Sequence, residues 1–92
     1  MEYQIKISKE AEKDLVIAKY HYKSSGLEND FIKDYILQIK YLKANPYLFQ
    51  IRYKRVRKIH FKNYKFSIHY IIDNDIVYIL RILSHAQEYQ EN

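Results

Sequence analysis

The sequence predicts an α+β domain in the order β-α-α-β-β-β, a helical hairpin packed on one face of a small, mainly antiparallel sheet. Three observations carry this. Apolar residues recur at helical spacing between Ser8 and Asn45, they fall largely on alternate positions after Pro46, and Pro46, the one proline, marks the change. With 92 residues, 48% of them hydrophobic, there is material for one core, so residues 1–92 are expected to form one domain.

Each element has a local cause. Tyr3, Ile5 and Ile7 alternate with Gln4, Lys6 and Ser8, which predicts a short opening strand. Ser8 is a good N-cap, and Glu10, Glu12 and Asp14 suit the positive end of a helix. Ala11, Leu15, Ala18 and Tyr22 continue that helix to about Lys23, where Ser24-Ser25-Gly26 breaks it. Asn29 or Asp30 is a possible cap for a second helix carrying Phe31, Tyr35, Ile39 and Leu42 on one stripe, beside Ile32 and Ile36. Asn45-Pro46 stops it, because the residue before proline avoids the helical region. The short break forces an antiparallel hairpin. Beyond it, Arg52 to Phe61 alternates imperfectly, Phe66, Ile68, Tyr70 and Ile72 form a period-two face, and Asp73-Asn74-Asp75 is a turn. Ile76 to Leu83 is apolar on both faces, as a strand inside the sheet would be. Phe31, Ile36, Ile39, Ile68, Tyr70, Ile79 and Ile82 are the expected core.

Charge is segregated along the chain. From Tyr35 to Ile72 there are nine basic residues and no Asp or Glu: Lys40, Lys43, Arg52, Lys54, Arg55, Arg57, Lys58, Lys62 and Lys65. The net charge is +5, so the remainder sums to −4, seven basic against eleven acidic. Solubility does not require such separation. A one-sign block on ordered strands attracts a polyanion or an acidic protein, and Arg52, Lys54, Arg55, Lys62 and Lys65 are the expected contacts. The bland alternative is a solvated basic face. Zero Cys excludes a disulfide framework and a thiolate metal site, and suits a reducing cytoplasm. Met1-Glu2-Tyr3-Gln4 opens on no apolar run that could be a signal peptide and no stretch approaches membrane-spanning length, so neither is expected; nor is a cofactor, since there is no Gly-rich phosphate loop.

Arg81 is the sharpest single residue, since a guanidinium inside Ile76–Leu83 is costly without a partner. It is either a snorkelling or edge-paired arginine or an anion site on the open side of the sheet, and the open side is the expectation. Arg81 pointing into the helical hairpin and paired with Asp14 or Asp34 would end the case for RNA cleavage. His85 follows four residues on, with His60 and His69 on the strands and His21 on the first helix. Their spacing is not that of a local metal set, so no metal is expected. Metal-free RNA cleavage needs a base for the 2′-hydroxyl, an acid for the leaving oxygen and cations for the phosphorane. His85, Tyr89, Arg81, Arg57 and Lys58 are the right types, and the set is expected to be incomplete. Tyr53 and Tyr64 lie within the basic stretch as candidate nucleic-acid contacts.

Several segments, in this order, resemble the RelE/ParE family of bacterial toxins from type II toxin–antitoxin modules. Ser8-Lys9-Glu10-Ala11-Glu12-Lys13-Asp14-Leu15 is similar to its S-x-x-A-x-x-D-L start, and Leu42-Lys43-Ala44-Asn45-Pro46 to its L-x-x-x-P. Val56-Arg57-Lys58-Ile59, Phe66-Ser67-Ile68-His69-Tyr70 and Ile79-Leu80-Arg81-Ile82-Leu83-Ser84-His85 are similar to R-x-x, Y-x-I-x-Y and I-L-R-V-L-H. The resemblance implies a growth-arresting toxin held in a hetero-oligomer by an acidic, partly disordered antitoxin, which the basic strands would suit. It implies one of two targets: DNA gyrase for the ParE branch, or mRNA on the ribosome for the nuclease branch. Arg57, Lys58 and Arg81 fall on the cationic positions of the nuclease branch, and His85 on its terminal His. Against that branch, residues 35–72 lack a Glu base, Tyr89 is not adjacent to His85, and the long hairpin ending at Pro46 looks more like ParE. A plain nucleic-acid-binding module, or a relic that only binds its antitoxin, stays open.

Overall fold

The computed structural model describes residues 2–49 and 51–85, leaving aside the side chains of Arg52 and Tyr53. The elements are β1 (Gln4–Ile7), α1 (Lys9–Lys23), α2 (Glu28–Ala44), a 3-10 turn (Pro46–Leu48), β2 (Ile51–Tyr53), β3 (Val56–His60), β4 (Phe66–Asp73) and β5 (Ile76–Ser84). The sheet order is β1-β5-β4-β3-β2, with β1 parallel to β5 and the other pairs antiparallel. The expected α+β architecture is present. One expected strand is divided: residues 52–61 split into β2 and β3 around Lys54, whose φ of 48° turns the chain back on itself.

The helices begin and end for identifiable reasons. Ser8 caps α1, its Oγ accepting the Ala11 N–H at 3.0 Å. Gly26, at φ 75°, closes α1 by letting Leu27 N–H reach the Tyr22 carbonyl and Gly26 N–H the Lys23 carbonyl. α2 starts at Glu28, so Asn29 and Asp30 lie in its first turn rather than at its cap. It stops before Pro46, as expected.

The inward stripe of α2 is Phe31, Asp34, Gln38 and Leu42, all buried, with Tyr35 half-buried beside them. Ile36, expected in the core, is 47% exposed, because five residues from Phe31 it has rotated well away from the sheet. Ile39 is half-buried, while Phe31, Ile68, Tyr70, Ile79 and Ile82 are core. Rings dominate one end of that core: Phe31 stacks on Phe61 at 5.0 Å, and Tyr22 meets Tyr64 edge-on at 4.7 Å. Tyr70 donates its buried hydroxyl to the Pro46 carbonyl at 2.7 Å, tying the 3-10 turn to β4.

β5 is flanked by β1 only as far as Ile79. A bulge follows: His69 pairs with Arg81 and Tyr70 with Ile79, leaving Leu80 unmatched. α1 serves this stretch. Ser8 donates its N–H to the Ile79 carbonyl at 2.9 Å and its hydroxyl to the Leu80 carbonyl at 2.8 Å. Nearly two turns on, Asp14 accepts the Ile82 N–H at 2.9 Å. Asp34 does the same for the β3–β4 loop, accepting the Lys62 and Asn63 N–H groups at 3.0 and 2.8 Å and the Gln38 amide at 2.9 Å. Both carboxylates are side-chain substitutes for a missing strand partner.

On the sheet side opposite the main core, register aligns Lys58, His69 and Arg81 in one row. His69 is buried, and that burial, followed by the positive charges of Lys58, His60 and Arg81, pushes its pKa down to about 4 against an opposing pull from Asp14. The imidazole is therefore neutral at physiological pH.

Two outcomes are expected. Asp14→Ala removes three hydrogen bonds to one carboxylate and should lower unfolding free energy by about 2–3 kcal/mol in a urea titration, with Asp14→Asn losing less. An unchanged midpoint for Asp14→Ala would refute the clamp. For His69, the unfolded chain binds a proton below pH ~6.5 while the folded one waits until about 4. Stability should accordingly fall as pH drops through that window, by up to about 1.4 kcal/mol per pH unit. His69→Gln should flatten this slope between pH ~7 and ~5 relative to wild type.

Candidate functional site

The candidate set of Arg81, His85, Arg57 and Lys58, expected to be incomplete, is divided by the sheet register. Arg81 is edge-paired: Nε donates to Asp14 Oδ2 at 2.7 Å and Nη2 to Oδ1 at 3.0 Å, a two-pronged ion pair with α1. By register it lies on the open side, as expected, but its guanidinium is engaged there by the Asp14 carboxylate. The reason is the Leu80 bulge, beyond which β1 no longer pairs with β5, so the guanidinium meets the α1 carboxylate where that strand ends.

Arg57 and Lys58 are successive strand residues and so point to opposite faces. Arg57 is in register with core Tyr70; its Nη1 donates to the Phe49 carbonyl at 2.5 Å and its guanidinium lies 5.1 Å from the Tyr47 ring centre. Lys58 is in register with His69 on the other face. Arg57 is therefore separated from Lys58 and Arg81, which flank His69 on the other face.

A different pair converges. His60, at the end of β3, shares a 2.5 Å hydrogen bond between Nδ1 and the Ser67 Oγ, and its ring meets the His85 ring edge-on at 4.8 Å. Both imidazoles are exposed. His85 is held by its backbone N–H on the Lys65 carbonyl at 3.0 Å and lies with Nε2 3.2 Å from the Phe66 carbonyl. The sequence reading named His85 and noted His60 without joining them. The signal was the antiparallel pairing of β3 with β4 and β4 with β5, which carries the C-terminal ends of β3 and β5 to the same corner of the sheet.

The expected partner-binding cations occupy two turns at opposite ends of β3. Lys54 and Arg55 are exposed in the β2–β3 turn, and Lys62 and Lys65 are exposed in the β3–β4 loop. The side chain of Arg52 and the whole of Tyr89 lie outside the described residues. Tyr64 is no free stacking platform: it is buried and donates to Asp30 Oδ2 at 2.5 Å, a bond that pushes its pKa up to about 12. Among the described residues no cluster of three His, Cys, Asp or Glu side chains forms a metal site, and no helix is long and apolar enough to cross a membrane.

The same arrangement of strands and hairpin recurs in known toxins. The chromosomal ParDE toxin–antitoxin system of P. aeruginosa matches with TM-score 0.77 and 23% identity, over 89% of this chain and 95% of that one. The E. coli DinJ-YafQ toxin–antitoxin complex matches with TM-score 0.67 and 17% identity, over 94% and 96%. A copper-bound mutant toxin from Helicobacter pylori matches with TM-score 0.57 and 20% identity, over 95% and 99%. No curated protein matches in sequence. The family model for the ParE toxin of the type II toxin–antitoxin system parDE matches residues 5–89, from β1 through β5, and the chain accordingly belongs to that toxin family.

Proposed function

We propose that this toxin arrests growth by inhibiting DNA gyrase rather than by cutting RNA, and that an acidic antitoxin segment neutralises it. The observation that carries this reading is the commitment of Arg81 to Asp14. A phosphorane intermediate needs cations gathered around its oxygens. Here the Arg81 charge is already met by Asp14 and Arg57 is turned to the opposite face toward Phe49 and Tyr47, which leaves Lys58 and an Asp14-paired arginine on the open side. The family match and the acid-free stretch support the same reading, the second by presenting exposed Lys54, Arg55, Lys62 and Lys65 to a polyanionic peptide.

One observation favours RNA cleavage as a second reading. His60 and His85 stand ring to ring, with the His85 N–H donating to the Lys65 carbonyl, and two exposed imidazoles can act as base and acid in turn. Inducing the toxin without its antitoxin separates the readings. Supercoiling by purified gyrase should stop while ribosome-bound mRNA stays intact, and His60→Ala combined with His85→Ala should leave growth arrest unchanged. If that double variant abolishes arrest, and mRNA cleavage falls by at least about 10²-fold, the gyrase reading fails. Induction without any growth defect would leave only antitoxin binding.

The electrostatic part has its own test. Affinity for the cognate antitoxin should weaken at least about tenfold as ionic strength rises from low to high, because exposed charges are screened beyond a Debye length. Glutamate at Lys54, Arg55, Lys62 and Lys65 together should weaken it further at low salt. A salt-independent dissociation constant would discard the electrostatic account.

A further inference from the structure

α1 buries one side and leaves an apolar strip on the other. Ala11 and Ala18 face the core, while Val16, Ile17 and Tyr20 are 66%, 69% and 74% exposed. These three occupy neighbouring positions on the outer helix surface. They join two shallow grooves of about 580 and 520 Å³, one lined by Ile17, Tyr20, His21, Lys23 and Ser24, the other by Lys9, Glu12, Lys13, Val16 and Ile17. Contiguous apolar surface rimmed by charge marks an interaction site.

We infer that this strip binds the same strip of a second copy, α1 against α1 in antiparallel orientation about a two-fold axis beside Ile17. The argument is charge complementarity. Glu12 and Lys23 are separated by nearly a whole number of helical turns, so they share one flank of α1. Glu12 lies about as far before Ile17 as Lys23 lies after it. In a two-fold antiparallel pair, like flanks meet and the helix direction reverses, which sets Glu12 of each copy against Lys23 of the other. One rotation thereby covers Val16, Ile17 and Tyr20 and closes two ion pairs. A single helix face buries less than the ~1,200 Å² of standard interfaces, so the dimer is weak and forms at high concentration.

Sedimentation velocity on the purified chain across a concentration series tests this. Wild type should show reversible dimerisation, and Ile17→Asp, an exposed position that spares the core, should stay monomeric with an unchanged circular dichroism spectrum. Glu12→Lys and Lys23→Glu should each raise the dimer dissociation constant about tenfold, through two lost pairs per dimer, and the two combined should restore it. A wild-type chain that is monomeric throughout overturns the proposal, including the case in which the strip accepts only an acidic partner segment. Dimerisation by Ile17→Asp equal to wild type, or a charge-swapped double variant that is not restored, overturns it as well.

Discussion

The junction between α1 and the bulge in β5 is the constraint on which the rest of the molecule hangs. β1 is too short to pair with all of β5, and the bulge at Leu80 turns backbone groups outward where no strand meets them. Ser8 and Asp14, one at the cap of α1 and one on its second turn, meet the Leu80 carbonyl and the Ile82 N–H, and Ala11 between them packs flush against the core. An edge that would otherwise solicit another strand is closed by a helix. The same contact sets the position of α1, and through the hairpin that of α2, whose Asp34 then holds the β3–β4 loop.

This arrangement also explains the lopsided charge along the chain. Asp14, Asp30 and Asp34 are held by Arg81, by Tyr64 and by the backbone of Lys62 and Asn63, so these helical carboxylates are engaged inside the fold. The strands and turns after Pro46 keep their lysines and arginines with no acid in the sequence nearby until Asp73. The basic surface is thus a by-product of where the acids are needed as well as a feature for partners.

Much of the architecture was legible because it rests on local signals. Ser8, Gly26, Pro46 and the Asp73-Asn74-Asp75 turn each act within a few residues, and their elements end where those residues dictate. Ile36 misled because a helix rich in isoleucine does not declare which direction is inward, and the polar residues Asp34 and Gln38 proved to lie on the buried stripe. The side chains of the candidate site were harder, since their directions depend on pairing. A single unmatched residue, Leu80, changed what Arg81 meets, and no period-two pattern reveals a bulge within an apolar run. The Ser8–Ala11–Asp14 spacing was visible from the start as a family resemblance, but its physical meaning needs the carbonyl and N–H groups of β5 beside it.

Those contacts join residues from opposite ends of the described chain: Ser8 to Leu80, and Asp14 to Arg81 and Ile82. β1, the earliest of the five described strands in the chain, pairs with β5, the last of them. While a ribosome is still making β5, α1 has no dock and the sheet lacks the strand between β1 and β4. Such distant contacts place assembly late, after the loops between them have closed. The contacts that complete this toxin's fold therefore form only once β5 has emerged from the ribosome.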